Sequence, residues 1–133
     1  MAGTKRPRKA YKSRGAFVPM MQCTRNDLAL ELRLAIELLI AEPSPDAYNQ
    51  LSKMLLAMGN TGARGESLAR ANNTMLAICD RFDRVGKVGV STDEAASLRG
   101  AAGGLDEMLS HIPINVFTAA VAVVSIQCQE LGV

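Results

Sequence analysis

Apolar side chains recur every three or four residues along most of the chain beyond residue 23, a pattern typical of helices that each bury one face. Prolines and glycines divide this pattern into five segments: 24–41, 45–59, 65–84, a fourth from Ser91 to the residue before Pro113, and 116–130. The connections between them have two to seven residues, so neighbouring helices should pack mostly antiparallel. We therefore expect an all-α, compact bundle of about five helices in a single domain spanning residues 24–133.

Local signals at the helix starts support this division. Ser91 is followed three residues later by Glu94, the spacing of a capping box in which each side chain bonds the other residue's backbone N–H. Ser44 precedes Pro45, and serine before a proline is typical of a helix N-terminus. The expected N-caps are Thr24, Ser44, Ser91 and Asn115.

The connector 86–90 contains two glycines, which permit a change of chain direction. This composition predicts that the first three helices form one packed unit. The fourth and fifth helices should then dock onto that unit across the connector.

The first and fifth segments are more apolar than a peripheral helix of a small bundle requires, because neither has a broad charged face. One interpretation is that one or both form the central spine of the monomer. The other is that their second faces meet another copy of the chain, most simply in a two-fold dimer, because 133 residues can scarcely enclose two helices. On this second interpretation, the candidate interface residues are Leu34, Leu38, Val121 and Val124.

Residues 1–23 lack helical periodicity and are predicted to form an extended arm. Residues 1–15 carry a charge of +6 and the other 118 residues a charge of −4, which together give the net charge of +2. Basic side chains with one aromatic among them suit contacts to phosphates or other anions. The candidate contact residues are Lys5, Arg6, Arg8, Lys9, Tyr11, Lys12 and Arg14. The apolar root of the arm should dock on the helical body, and it consists of Phe17, Val18, Met20 and Met21.

The residue inventory argues against catalysis. The chain has one histidine, His111, which falls in the last turn of the fourth helix and is interpreted as a capping or surface residue. Its three cysteines lack the Cys-x-x-Cys spacing of metal and redox sites. We expect no enzyme activity, no metal and no cofactor.

These observations favour a small non-enzymatic helical protein that self-associates and engages a larger partner as an adaptor, regulator or inhibitor. The alternative is a nucleic-acid-binding protein whose affinity comes from the arm. No run of 18 apolar residues is present, so we expect no membrane partner. The expected location is the cytoplasm, or the nucleus in a eukaryotic host, because 5–9 has the composition of a nuclear import signal.

Overall fold

The computed structural model describes residues 22–131 of the chain, with side chains from 25 to 128. This part of the chain is all-α, as predicted, and contains five helices and no strand. The helices are α1 (Gln22–Ala41), α2 (Pro45–Asn60), α3 (Glu66–Val85), α4 (Thr92–Ser110) and α5 (Ile114–Leu131). The predicted arm lies outside the described residues, apart from the first turn of α1.

The first and last helices begin two residues earlier than their sequence signals predicted. Helix α1 starts at Gln22, so Thr24 lies inside the helix rather than at its N-cap. The carbonyl of Pro113 accepts a hydrogen bond from the N–H of Phe117 at 3.0 Å, which makes Pro113 the residue that precedes the first turn of α5. Asn115 therefore lies within that turn, and its prediction as an N-cap was wrong.

Helices α2 and α4 are capped as their sequences predicted. The Ser44 hydroxyl accepts from the N–H of Ala47 at 3.1 Å. Ser91 accepts from the N–H of Glu94 at 3.1 Å, while the Glu94 carboxylate accepts from the N–H of Ser91 at 2.9 Å, and this completes the capping box. The C-cap of α3 is Gly86, whose φ of 81° is the left-handed conformation that glycine adopts without strain.

Helices α1 to α4 form a closed ring in which each packs on the next and α4 packs back on α1. Helix α5 packs chiefly on α2, and its axis is bent by 119° from that of α4. The prediction that the first three helices form a unit of their own was therefore wrong. Helix α4 completes the ring because its buried side chains pack into the same apolar core as those of α1 and α3.

The core is built mainly of leucine and alanine from every helix. Its largest fully buried side chains are Leu32, Ile36, Leu39, Leu51, Leu55, Met58, Ile78, Leu98, Leu105 and Leu109. Burying each such side chain contributes roughly 1.5–3 kcal/mol. Helix α5 adds Phe117, Ala120, Val124 and Cys128 to the same cluster, so one of its faces belongs to the core.

An ion pair joins α3, the connector and the start of α4. The Arg81 guanidinium donates to the carbonyl of Gly89 at 2.8 Å and pairs with the Glu94 carboxylate. Burial acts to raise the pKa of Glu94, but hydrogen bonds from Arg81 and Ser91 outweigh it, so the pKa is lower than its ordinary value. The connector, although rich in glycine, is thus fastened to both helices.

Glu94→Gln should lower the free energy of unfolding at pH 7 by roughly 1–2 kcal/mol, because it removes the charge that Arg81 faces. The folded protein holds the pKa of Glu94 below 4.5, so this stabilisation is fully present above pH 4.5. It is lost as the pH falls through the lower pKa that Glu94 has in the folded protein. Urea unfolding of both proteins at pH 7 and pH 3 measures the difference. If the free energies of unfolding of wild type and variant differ by the same amount at both pH values, this role of Glu94 is contradicted.

Candidate interaction surface

A stripe of leucines runs along the outer face of α1. Leu30, Leu34 and Leu38 recur every four residues and point away from the core, whereas Leu32 and Leu39 point into it. The side chain of Leu34 is 59% exposed. This exposed stripe is apolar surface that the described part of the bundle leaves in contact with water, and we call it the α1 stripe.

The outer face of α5 is also apolar and carries no charge. From Ile114 to Cys128 the sequence contains no Asp, Glu, Lys or Arg. Val123 and Ile126 are exposed on this face, Ile126 at 57%. Thr118, Ala119 and Ala122 lie among them, so short side chains dominate the surface. We call this set of residues the α5 face.

Neither α1 nor α5 is the central spine of the monomer, because each has one buried and one exposed face. Three of the four candidate interface residues, Leu34, Leu38 and Val121, are exposed. Val124 is 2% exposed and packs in the chain's own core, so it is not available to a second copy.

Sequence reasoning overlooked three exposed residues that extend these surfaces: Leu30, Val123 and Ile126. Leu30 precedes Leu34 by one helical turn, so helical spacing counted back from Leu38 and Leu34 also reaches Leu30. On α5 the sequence carries no such signal, because nearly every position is apolar. The packing of α5 on α2 decides which of its residues face outward.

Two ion pairs along the side of α1 fasten it to α4. Arg99 donates to both carboxylate oxygens of Glu37, at 2.9 and 2.8 Å, and Arg33 donates through Nε to Asp106 at 2.9 Å. The hydrogen bond from Arg99 holds the pKa of Glu37 below its ordinary value. The four charged side chains pair with one another beside the α1 stripe, and the leucines of the stripe remain exposed.

A groove with a volume of about 480 Å³ separates α1 from α5. Helix α2 forms its floor with Met54, Ala57 and polar residues including Lys53. Leu28 and Glu31 of α1 form one wall, and Phe117, Val121, Val124 and Ser125 of α5 form the other. The groove exists because α1 and α5 both pack on α2 without packing closely on each other.

The histidine, one tyrosine and two cysteines lie outside the groove between α1 and α5. His111 is the C-cap of α4, as interpreted from the sequence, and its exposed ring lies 3.2 Å from the Glu107 carboxylate. Burial raises the pKa of Tyr48 to about 12, and its hydroxyl donates to the carbonyl of Met75 at 3.1 Å. Cys79 is partly buried, and Cys128 is buried. Among the described residues, no group of three or more His, Cys, Asp or Glu side chains is arranged to hold a metal ion.

No single helix within residues 22–131 is long and apolar enough to cross a membrane. Helices α4 and α5 together reach that length and composition, but they are sharply bent relative to each other at the break between them.

The candidate anion-contact residues of the arm, from Lys5 to Arg14, lie outside the described residues, as do the apolar residues of its root. The features that the structure does bring together are therefore the α1 stripe, the α5 face and the groove between the two helices. No family model, no curated protein and no solved structure matches this chain.

Proposed function

We propose that this protein is a small non-enzymatic helical interaction protein that self-associates through the α1 stripe and the α5 face and engages a larger partner as an adaptor, regulator or inhibitor. The observation that carries the proposal is the α5 face, an exposed surface of a peripheral helix without a charged side chain. Contiguous apolar patches larger than a few hundred Å² are uncommon on monomers and typical of interfaces, and the α5 face is a contiguous patch rather than a single exposed side chain.

The chemistry of the α5 face suits a second copy of the same helix. Burying it removes apolar surface from water without desolvating a charge, and a buried unpaired charge would oppose association strongly. Alanines at positions 119 and 122 allow two helix backbones to approach closely. A two-fold arrangement uses the same patch on both copies, so one face is sufficient for both sides of the contact.

The molar mass in solution tests this proposal. Multi-angle light scattering of the full chain at concentrations from about 1 to 100 µM should show mass above that of the 14.2 kDa monomer, rising with concentration. A mass that stays at 14.2 kDa throughout this range would exclude self-association.

The alternative function is nucleic-acid binding through the arm. On the helical body, Arg33, Arg81 and Arg99 each pair with a carboxylate, which leaves their charge largely compensated. The 118 residues beyond residue 15 carry a charge of −4, so nucleic-acid affinity would come from the six basic residues of the arm. Such binding weakens steeply with salt, by up to ~0.9 log unit of affinity per phosphate contact for each log unit of salt.

Deletion of residues 1–15 separates the two functions. We expect the melting temperature to change by less than about 2 °C, because the deleted segment has almost no apolar side chain to bury. The net charge changes from +2 to −4, so binding to any anionic partner should be lost.

Circular dichroism melts, light scattering and a titration with labelled DNA measure these effects. If the truncated chain keeps its mass and loses a salt-sensitive DNA complex, the alternative function is supported. If the deletion instead dissociates the oligomer, the arm itself holds the copies together.

A further inference from the structure

The groove between α1 and α5 has both apolar and polar lining residues, and its apolar part extends toward the start of α1. Leu28, Met54 and Phe117 lie along it, and Val121 borders it as an exposed side chain. Leu28 is only six residues after Gln22, the first residue of α1, which is about 9 Å along the helix axis. Whatever precedes α1 therefore leaves the helix close to the mouth of the groove.

The chain supplies a segment of matching chemistry at that point. Residues 17–21, which read Phe-Val-Pro-Met-Met, join directly onto Gln22 and are uncharged. Methionine side chains fill irregular apolar surfaces readily, and proline favours an extended backbone. This segment has the composition to cover the apolar lining of the groove, and its covalent attachment makes the contact intramolecular.

The length of residues 17–21 also matches the length of the groove. From Ala57 to Asp46 the floor of the groove extends along α2 for roughly 17 Å. Five extended residues span about 17 Å, of which about 9 Å lead from Gln22 to the level of Leu28. When the segment runs antiparallel to α1, the remaining length of about 8 Å brings Phe17 to the level of Lys53 on the groove floor.

Charge favours the same direction. Glu31 and Asp46 border the groove, against one cation, Lys53. Docking of residues 17–21 would carry Arg14 and Lys12 toward the Asp46 end, where α2 begins. The basic residues, which precede the apolar segment in the chain, would therefore lie beyond the apolar part of the groove and close to the Asp46 carboxylate.

We propose that residues 17–21 of the same chain dock in the α1–α2–α5 groove, with Phe17 near Lys53 and the basic arm leaving past Asp46. This inference does not rest on self-association. Val121 lies on the groove wall, so the docked segment covers one of the residues first assigned to the interface and leaves the α5 face for the second copy.

Cysteine pairing tests the proposal. In a chain with Cys23→Ser, Cys79→Ala and Cys128→Ala, we introduce Val18→Cys together with Lys53→Cys and measure disulfide formation in glutathione buffers. The control pair is Val18→Cys with Asn72→Cys, because Asn72 is exposed on α3, which lies across the ring from α1. We expect an effective concentration at least tenfold higher for the groove pair than for the control pair, with a product of monomer mass.

Two outcomes overturn the proposal: equal effective concentrations for the two pairs, and a groove-pair disulfide found only between two chains. The second outcome would place the segment in the groove of a neighbouring copy. The mass of the reduced protein by light scattering is read separately, so the proposed self-association stands or falls independently of this result.

A second measurement uses the native cysteines. Phe17→Ala should lower the melting temperature of the full chain, and the decrease should be at least twofold smaller in a Met54→Ala background. In a Leu76→Ala background the decrease should be unchanged, because Leu76 is exposed on α3, away from the groove. Equal decreases in all three backgrounds would overturn the docking.

Discussion

Gly104→Ala should destabilise the protein by about 1–2 kcal/mol, although alanine is the better helix former. A Cβ built at Gly104 lies 1.8 Å from Ser67 Oγ and 2.7 Å from Ser67 Cβ. The hydroxyl can rotate away, but Ser67 Cβ is fixed to the backbone of α3, so the two helices must separate. Overpacking of this kind costs roughly 1–3 kcal/mol, against a gain of up to ~1 kcal/mol from helix propensity.

The neighbouring glycine provides the matched control. A Cβ at Gly103 meets no atom within 4 Å, so Gly103→Ala should stabilise the protein by roughly 0.5–1 kcal/mol. Chemical unfolding of the two variants should therefore give changes of opposite sign from the same substitution at adjacent positions.

Ser67→Gly removes both atoms that the new Cβ would meet, so it should cancel most of the effect of Gly104→Ala in the double variant. If Gly104→Ala is as stable as Gly103→Ala, α3 and α4 do not pack at the distance that the structure gives.

These glycines illustrate which parts of the fold can be predicted from sequence. In sequence, Gly100, Gly103 and Gly104 all weaken a helix by similar amounts. In the fold, Gly104 lies against Ser67 and Gly100 lies against the Arg70 guanidinium, while Gly103 faces open space. The difference arises from contacts between α3 and α4, and no pattern within α4 alone encodes it.

Features that depend on neighbours in sequence were predicted in part. The Ser91–Glu94 capping box and the Ser44 cap were correct, but Thr24 and Asn115, chosen by the same kind of local signal, lie inside helices that begin two residues earlier than predicted. Contacts between distant segments were not predictable in this way. The closing of the ring by α4 depends on how separate amphipathic faces match one another.

The same limit applies to the candidate surface. The leucines of α1 lie on both its inner and its outer face, and the two candidates Leu34 and Leu38 are on the outer one. On α5, valines occupy positions 121, 123 and 124 in a helix with almost no polar marker. Only the packing on α2 distinguishes the buried Val124 from the exposed Val121 and Val123.

Leu34→Glu and Ile126→Glu, each made singly, should weaken self-association at least 30-fold while leaving the folded monomer intact. Both side chains are more than half exposed in the monomer, so a carboxylate at either position stays in water and changes the stability by less than about 0.5 kcal/mol. In an interface the same carboxylate would be buried without a partner, at a cost of roughly 2–5 kcal/mol.

Leu76→Glu is the control, because Leu76 is 61% exposed but lies on α3, outside both proposed surfaces. Light scattering over a concentration series gives the dissociation constant of each protein, and thermal melts at low concentration report the stability of the monomer. Dissociation by Leu34→Glu alone would assign the contact to the α1 stripe, and dissociation by Ile126→Glu alone would assign it to the α5 face. If neither substitution lowers the mass, or if Leu76→Glu lowers it equally, these two surfaces do not hold the copies together.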